Sequence, residues 1–352
     1  MSLDKRKQPP GSLSSHLVKR QKANSDLALA ESHSSNGALV HSIPRTSNLS
    51  SPILQLLGHT AEIFACRFNS NGSHIASAGH DRSILLWTTY GDNENYGVIK
   101  GHKGSILDLQ WSRDSKILYT AATDNTLGMW DTLTGQRIRK HVGHEDVVNS
   151  VNVLKRGAEI LASGSDDGSI AIWDTRQKTA IDYYQEQYPV TSVCFSEAGN
   201  QIFSGGLDNE VKVWDIRKKA VSLTLSGHSD TITSLALSPD GTSLLSNSMD
   251  NTLNIWDVKP FAAGDRLLKS FEGAPHGFEK NLIKANWSFD GRFIMAGSAD
   301  KTLTIWNADS AQIIYKLPGH KGIVNDCGFH PLEPIIMSAS TDRSILLGEI
   351  SA

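Results

Sequence analysis

Ser163, His144 and Asp167 are the residue types of a nucleophile, a general base and the carboxylate that orients it, the set a hydrolase uses to attack an acyl carbon. That chemistry also needs an oxyanion hole beside the nucleophile, and the set occurs once in its chain. The stretch GSDDGSIAIWD at 164–174, which carries Asp167, is not unique. An aspartate stands six residues before a tryptophan at Asp81 and Trp87, Asp124 and Trp130, Asp167 and Trp173, Asp208 and Trp214, Asp250 and Trp256, and Asp300 and Trp306. Asp342 follows the same series with Gly348 in the tryptophan position. A Gly-His pair precedes five of these aspartates by 22 or 23 residues, supplying His59, His102, His144, His228 and His320. A hydroxyl lies four residues before six of them, at Ser77, Thr120, Ser163, Ser204, Ser246 and Ser338. A set repeated at this regularity is an architectural device. No unique nucleophile, metal-ligand cluster or phosphate-cradling glycine loop remains, so the sequence predicts no enzyme, cofactor, metal or small-molecule substrate.

The elements between these marks are short. Segments such as SILLW, EVKVW and TLTIW alternate with period two and are bounded by turn clusters such as NSNG, SPDG and SFDG, which predicts about four strands per unit. Four-strand units opened by Gly-His and closed by Trp-Asp, recurring about every 40 to 50 residues, resemble WD40 repeats, each one blade of a β-propeller. The expected fold is all-β: a seven-bladed WD40 β-propeller over residues 52–352 with a disordered N-terminal tail over 1–51. The resemblance implies that the repeated polar residues form a hydrogen-bonded chain within each blade. In the third blade Asp167 orients His144, Ser163 relays to Trp173, and Gly168 closes a tight turn. Blade four lacks Gly-His and offers QEQYPV around Gln187; blade six has Ala296 for the hydroxyl and a displaced His276; blade seven has Gly348. These three blades are expected to be less firmly latched. The strand-like run at 52–57 has no earlier blade to join, so it is expected to complete blade seven and close the ring.

The formal net charge is −3, and neither a membrane-length apolar run nor a signal-peptide core is visible, which argues against secretion and membrane anchoring. Cys66, Cys194 and Cys327 fall in separate first-strand segments, far from any Cys-x-x-Cys spacing, and read as buried free thiols of a reducing compartment. The first 50 residues differ in composition: eleven serines and no sustained period. Their basic residues cluster as Lys5-Arg6-Lys7 and Lys19-Arg20 with Lys22, the form of a bipartite nuclear-import signal and hence an expectation of nuclear localisation. A solvated basic tail or a nonspecific nucleic-acid contact is the alternative.

Two irregular stretches are candidate binding surfaces. The run from Lys259 to Trp287 lengthens the passage from blade five to blade six and carries Phe261, Arg266, Phe278, Glu279 and Lys280; the equal alternative is that its aromatics fold back to pack the blade edge. DYYQEQYP at 182–189 places Tyr183 and Tyr184 beside the degenerate entry to blade four, where they read equally as interface anchors or as core packing. The serine-rich basic tail, SPILQLLGH, KPFAAGDR, HGFEKNL, IIYKLPGH and the C-terminal EPIIMSASTDRSILLGEI together resemble the WD40-repeat subunits of the U5 small nuclear ribonucleoprotein. That resemblance implies a non-catalytic scaffold of the pre-mRNA splicing machinery, a monomer within a larger complex, bound to the large U5 scaffold protein near its GTPase and helicase partners. An acidic propeller body suits indirect association with RNA through those proteins. The other reading is a substrate-recognition propeller of a ubiquitin ligase or a chromatin reader, which would use the rim near His80, Lys103, Glu145 and Ser229.

Overall fold

The computed structural model describes residues 45–262 and 264–350. The basic clusters Lys5-Arg6-Lys7 and Lys19-Arg20 with Lys22, and the disorder expected of the tail, lie outside them. The described chain forms seven four-stranded antiparallel sheets, the blades of a β-propeller. Six blades are continuous in sequence, at 63–100, 106–142, 148–185, 190–226, 232–272 and 285–317. The seventh is composite: Ile53–Leu57 pairs antiparallel with Ser344–Glu349, outside the strands Ile335–Ser340 and Val324–Phe329.

In each blade the first strand, here called a, lines the axis and the fourth, d, forms the outer edge. The burial pattern follows from this. In blade three strand a, Val148–Val153, is buried along most of its length, while strand d, Ala180–Gln185, alternates exposed and half-buried positions apart from the buried Tyr184. Large side chains fill the space between sheets, with Trp130, Trp173, Trp256 and Trp306 all almost fully buried. Because strands alternate in direction, the b–c turn comes back to the end of the blade where strand a begins. The d–a connectors and b–c turns therefore share one rim, called the top here, and the a–b and c–d turns share the other.

A second set of residues stitches the strands round the axis. Ser150 Oγ accepts from the Val193 amide, Ser192 from Leu235 and Ser234 from Ala285, at 2.9–3.0 Å. One residue earlier, Thr191, Thr233 and Asn325 donate to carbonyls of the next blade, at Ile232, Ile283 and Ile63. Blades one and six carry Ala65 and Lys284 where the others carry the acceptor oxygen, so the next strands lose an acceptor. Aspartates repair both gaps. Asp108 accepts from its own neighbour Leu109 with one oxygen and from Val151 of the next blade with the other; Asp326 does the same with Cys327 and Cys66. These buried carboxylates require cations. Lys284 reaches across the axis to pair with Asp108, and Arg67 pairs with Asp326 at 2.5 Å.

The ring closes by more than one strand, and here the expected boundary needs correction: the propeller begins at Arg45, inside the stretch assigned to the tail. Arg45 and Ser47 contact Glu349 at 2.7 and 2.6 Å, and Thr46 donates to it through its hydroxyl at 2.9 Å. Asn48 donates to Glu333 and Leu49 is buried in the blade-seven core. Composition concealed this because the anchoring carboxylates lie about 300 residues away.

Candidate functional site

The repeated polar residues meet inside the blades. In blade one His59 Nδ1 lies 2.8 Å from Asp81, His59 Nε2 lies 2.7 Å from Ser77 Oγ, and Trp87 Nε1 donates to Ser77 Oγ at 2.9 Å. The direction of the chain follows from donor inventory. A carboxylate only accepts, so Nδ1 carries the proton; Nε2 then accepts from the serine hydroxyl, whose free lone pair takes the indole N–H. Blade two repeats this with His102, Asp124, Thr120 and Trp130, blade three with His144, Asp167, Ser163 and Trp173, and blade five with His228, Asp250, Ser246 and Trp256. The aspartate also accepts from the backbone amide after the histidine, as at Lys103, Glu145 and Ser229, pinning the d–a connector to the b–c turn.

Electrostatics supports these as fixed structural latches. Burial alone would raise the carboxyl pKa of Asp81 and Asp124, but hydrogen bonds from His59 and His102, with those from Ser83 and Thr126, outweigh it and hold both well below the carboxylate range. Burial lowers His144, His228 and His320, against the opposing pull of their aspartates. The arrangement has the connectivity of a hydrolytic triad and lacks its access. Ser77, Thr120, Ser163 and Ser246 are fully buried, and each oxygen is already occupied by an indole N–H. Blade seven has no indole donor; His320 still bridges Asp342 at 3.0 Å and Ser338 at 2.8 Å, with Ser338 buried.

Blades four and six depart in different ways. In blade four Glu186 takes the place of the histidine: it accepts from Ser204 at 2.5 Å, Ser204 accepts from Trp214, and Lys212 joins Glu186 to Asp208. The expectation of a weak latch there is corrected, because a cation between two carboxylates replaces the imidazole. Burial would lower the Lys212 pKa; the two carboxylates outweigh it and raise it. Glu186 sits one residue before the Gln187 singled out in the sequence, and a search for any titratable group at the histidine position would have found it. In blade six the histidine and hydroxyl have no counterpart, and Lys316 instead joins the turn to the connector, donating to the Gly273 carbonyl at 3.3 Å. Trp306 donates to the Glu272 carbonyl at 3.0 Å, Asp300 pairs with Lys316 at 2.7 Å, and His276 packs toward Asn247 and Asn251 of blade five.

The surface candidates scatter over the molecule. Tyr184 is 3 % exposed, packs edge-on against Trp214 and donates to the Ile216 carbonyl, so its reading as a partner contact is corrected to core packing: its position on strand d turns it into the blade. Tyr183, on the opposite face of that strand, is half-exposed and its ring covers His144 and Trp173. Phe261 and Phe278 do not form one surface. Strand d of blade five, Leu267–Glu272, separates them, so Phe261 is on the bottom rim and Phe278 on the top. Arg266 is committed to its own turn, donating to the carbonyls of Asp257 and Lys259. Phe278 is fully exposed at the tip of a turn closed by the Lys280 amide and Gly277 carbonyl, with Glu279 and Lys280 exposed beside it.

The fold and its latches define a WD40-repeat propeller. The family described as "WD domain, G-beta repeat" matches seven times, at residues 50–88, 93–131, 135–174, 180–215, 220–257, 267–307 and 311–347. The chain is 50 % identical to the pre-mRNA-splicing factor cwf17 of Schizosaccharomyces pombe, over 99 % of this chain and 100 % of that protein. It is 54 % identical to the U5 small nuclear ribonucleoprotein 40 kDa protein of Dictyostelium discoideum over 87 % of this chain and 86 % of that protein, and 46 % identical to the Homo sapiens protein of the same name over 95 % of both. The chain belongs to the WD40-repeat family and, within it, to the family of these U5 40 kDa proteins and splicing factors.

Proposed function

We propose that this protein is a non-catalytic interaction scaffold of the U5 small nuclear ribonucleoprotein, acting in pre-mRNA splicing in the nucleus and binding the large U5 scaffold protein. The observation that carries the reading is near-full-length identity, in both directions, to proteins named for splicing and for the U5 particle. The geometry supports a scaffold: the Ser-His-Asp sets are buried latches, and the irregular features are loops on a rigid ring. The Phe278 turn on the top rim is the contact we assign to the main partner, because an exposed aromatic at a loop tip has no packing role of its own. The clusters at Lys5-Arg6-Lys7 and Lys19-Arg20 with Lys22 serve nuclear import in this reading. RNA association is indirect, through protein partners. Affinity purification from nuclear extract, with mass spectrometry and RNA sequencing before and after nuclease, tests it. Recovery of the large U5 scaffold protein that survives nuclease is expected; recovery of ubiquitin-ligase or chromatin subunits without U5 components would overturn it.

A further inference from the structure

The top rim carries a charge asymmetry that the latches do not explain. In every blade the residue after the latch aspartate sits in the b–c turn with a left-handed backbone: Arg82, Asn125, Gly168, Asn209, Asn251, Lys301 and Arg343, with φ between 61° and 76°. Glycine and asparagine tolerate this conformation, and lysine and arginine are disfavoured in it. Blades two to five follow that preference; blades six, seven and one, which are contiguous round the ring, hold Lys301, Arg343 and Arg82.

A role in holding blades together does not account for them. The turn residue reaches the d–a connector of the next blade, Asn125 donating to the Glu145 carbonyl at 2.7 Å and Asn209 to Ser229 at 3.2 Å. Arg82 and Arg343 make the equivalent contacts, to Lys103 and Thr60, at 3.3 and 3.4 Å, so asparagine bridges at shorter range. Lys103 and Lys321, at the position after the latch histidine, extend the same arc. All five cations are exposed, and none has an ion-pair partner among the described residues. The same sector holds the exposed carboxylates Glu62 and Glu279 among its five cations, whereas on the remaining sector of the rim Glu145, Asp146 and Asp230 are exposed.

We infer that the arc of Lys301, Lys321, Arg343, Arg82 and Lys103 is a docking surface for an acidic polypeptide segment. This adds the chemistry of a partner and stands independently of the splicing assignment. Charge complementarity selects an acidic occupant. The rim favours protein over RNA as that occupant. An RNA backbone is charged at every nucleotide and would run from the arc onto Glu145, Asp146 and Asp230. Stacking of successive bases also needs several aromatic platforms, and among the described residues Phe278 is the one large apolar side chain exposed at this end of the arc, where Gly277 lies beside Ala299 and Ile323. A peptide confines its charge to the length of the arc and sets an apolar side chain against Phe278.

The test is fluorescence anisotropy of labelled oligoglutamate, oligouridine and an RNA duplex with the full chain, and with the triple variant Arg82→Asn, Lys301→Asn, Arg343→Asn. Asparagine is what blades two, four and five hold at this position, so the turns remain intact and thermal unfolding is unchanged or raised. Oligoglutamate binds the wild type in a salt-sensitive manner, and the triple variant binds it about tenfold more weakly. Three results would each overturn the inference: no binding of oligoglutamate, tighter binding of either RNA than of oligoglutamate, or self-association of the wild type that the same substitutions abolish.

Discussion

Blade five and blade six are neighbours with the same four strands, yet only blade five carries the histidine–serine latch. Asp250, His228, Ser246 and Trp256 form a complete chain there, and the connector entering it, from strand d of blade four, runs from Gly227 to Thr231. Blade six has none of the first three contacts and its entering connector runs from Gly273 to Lys284. Trp306 is nevertheless as buried as Trp256. Packing between sheets, then, holds the blade with or without the histidine chain, and in blade six Lys316, Ser298 and the Ala299 amide tie the connector to the b–c turn instead. Where the chain is missing, the connector is longer and carries Phe278 into solvent.

The largest difference between the two blades is expected on removing the aspartate. Asp250→Ala leaves the His228 Nδ1–H and the amides of Ser229 and Thr252 without their acceptor, and should cost about 2–4 kcal/mol in chemical denaturation. Asp300→Ala breaks a more exposed pair with Lys316 and a turn contact, and should cost about 1 kcal/mol. Equal losses would mean that the latch adds nothing to the turn. The hydroxyl comes next. Ser246→Ala strands a buried imidazole nitrogen and an indole N–H, for about 1–3 kcal/mol. Ala296→Ser should not rescue blade six, because the Trp306 N–H already has the Glu272 carbonyl and no histidine approaches.

Acid sharpens the contrast further. Burial, only partly offset by Asp250 and Asp230, pushes His276 down to about 4. A depressed histidine binds its proton more readily in the unfolded chain, so its contribution to stability is complete above the ordinary value and is lost as pH falls from about 6.5 towards 4. Stability of His276→Gln, measured by denaturant titration across that window, should fall less steeply than that of the wild type. The smallest effect is at the turns: Lys301→Asn should raise stability by up to about 1 kcal/mol, and Asn251→Lys should lower it by a similar amount, read as opposite shifts in thermal midpoint.

The blades were legible because the latch repeats: His144, Ser163, Asp167 and Trp173 announce themselves by spacing, and the structure brings them together. The sheet that closes the ring was legible from the surplus strand before the first Gly-His. What spacing could not reveal are contacts whose partners lie in distant blades. Asp108 and Asp326 read as ordinary strand residues until the ring shows that Ala65 and Lys284 deprive the next blades of acceptors. The anchoring of Arg45 to Leu49 depends on Glu333 and Glu349 at the opposite end of the chain. Tyr183 and Tyr184 are adjacent and chemically identical, and only the pleat of strand d separates an exposed ring from a buried one.

The buried Ser-His-Asp sets serve architecture, and we propose that the Phe278 turn of the top rim serves binding. The most direct measurement compares wild type with the double variant Phe278→Ala and Lys280→Ala, reading recovery of the large U5 scaffold protein from nuclear extract alongside thermal unfolding of the purified chain. Both side chains are exposed, so unfolding should be unchanged while recovery of the scaffold protein falls sharply. Undiminished recovery, with U5 components still bound, would contradict the assignment of binding to this rim.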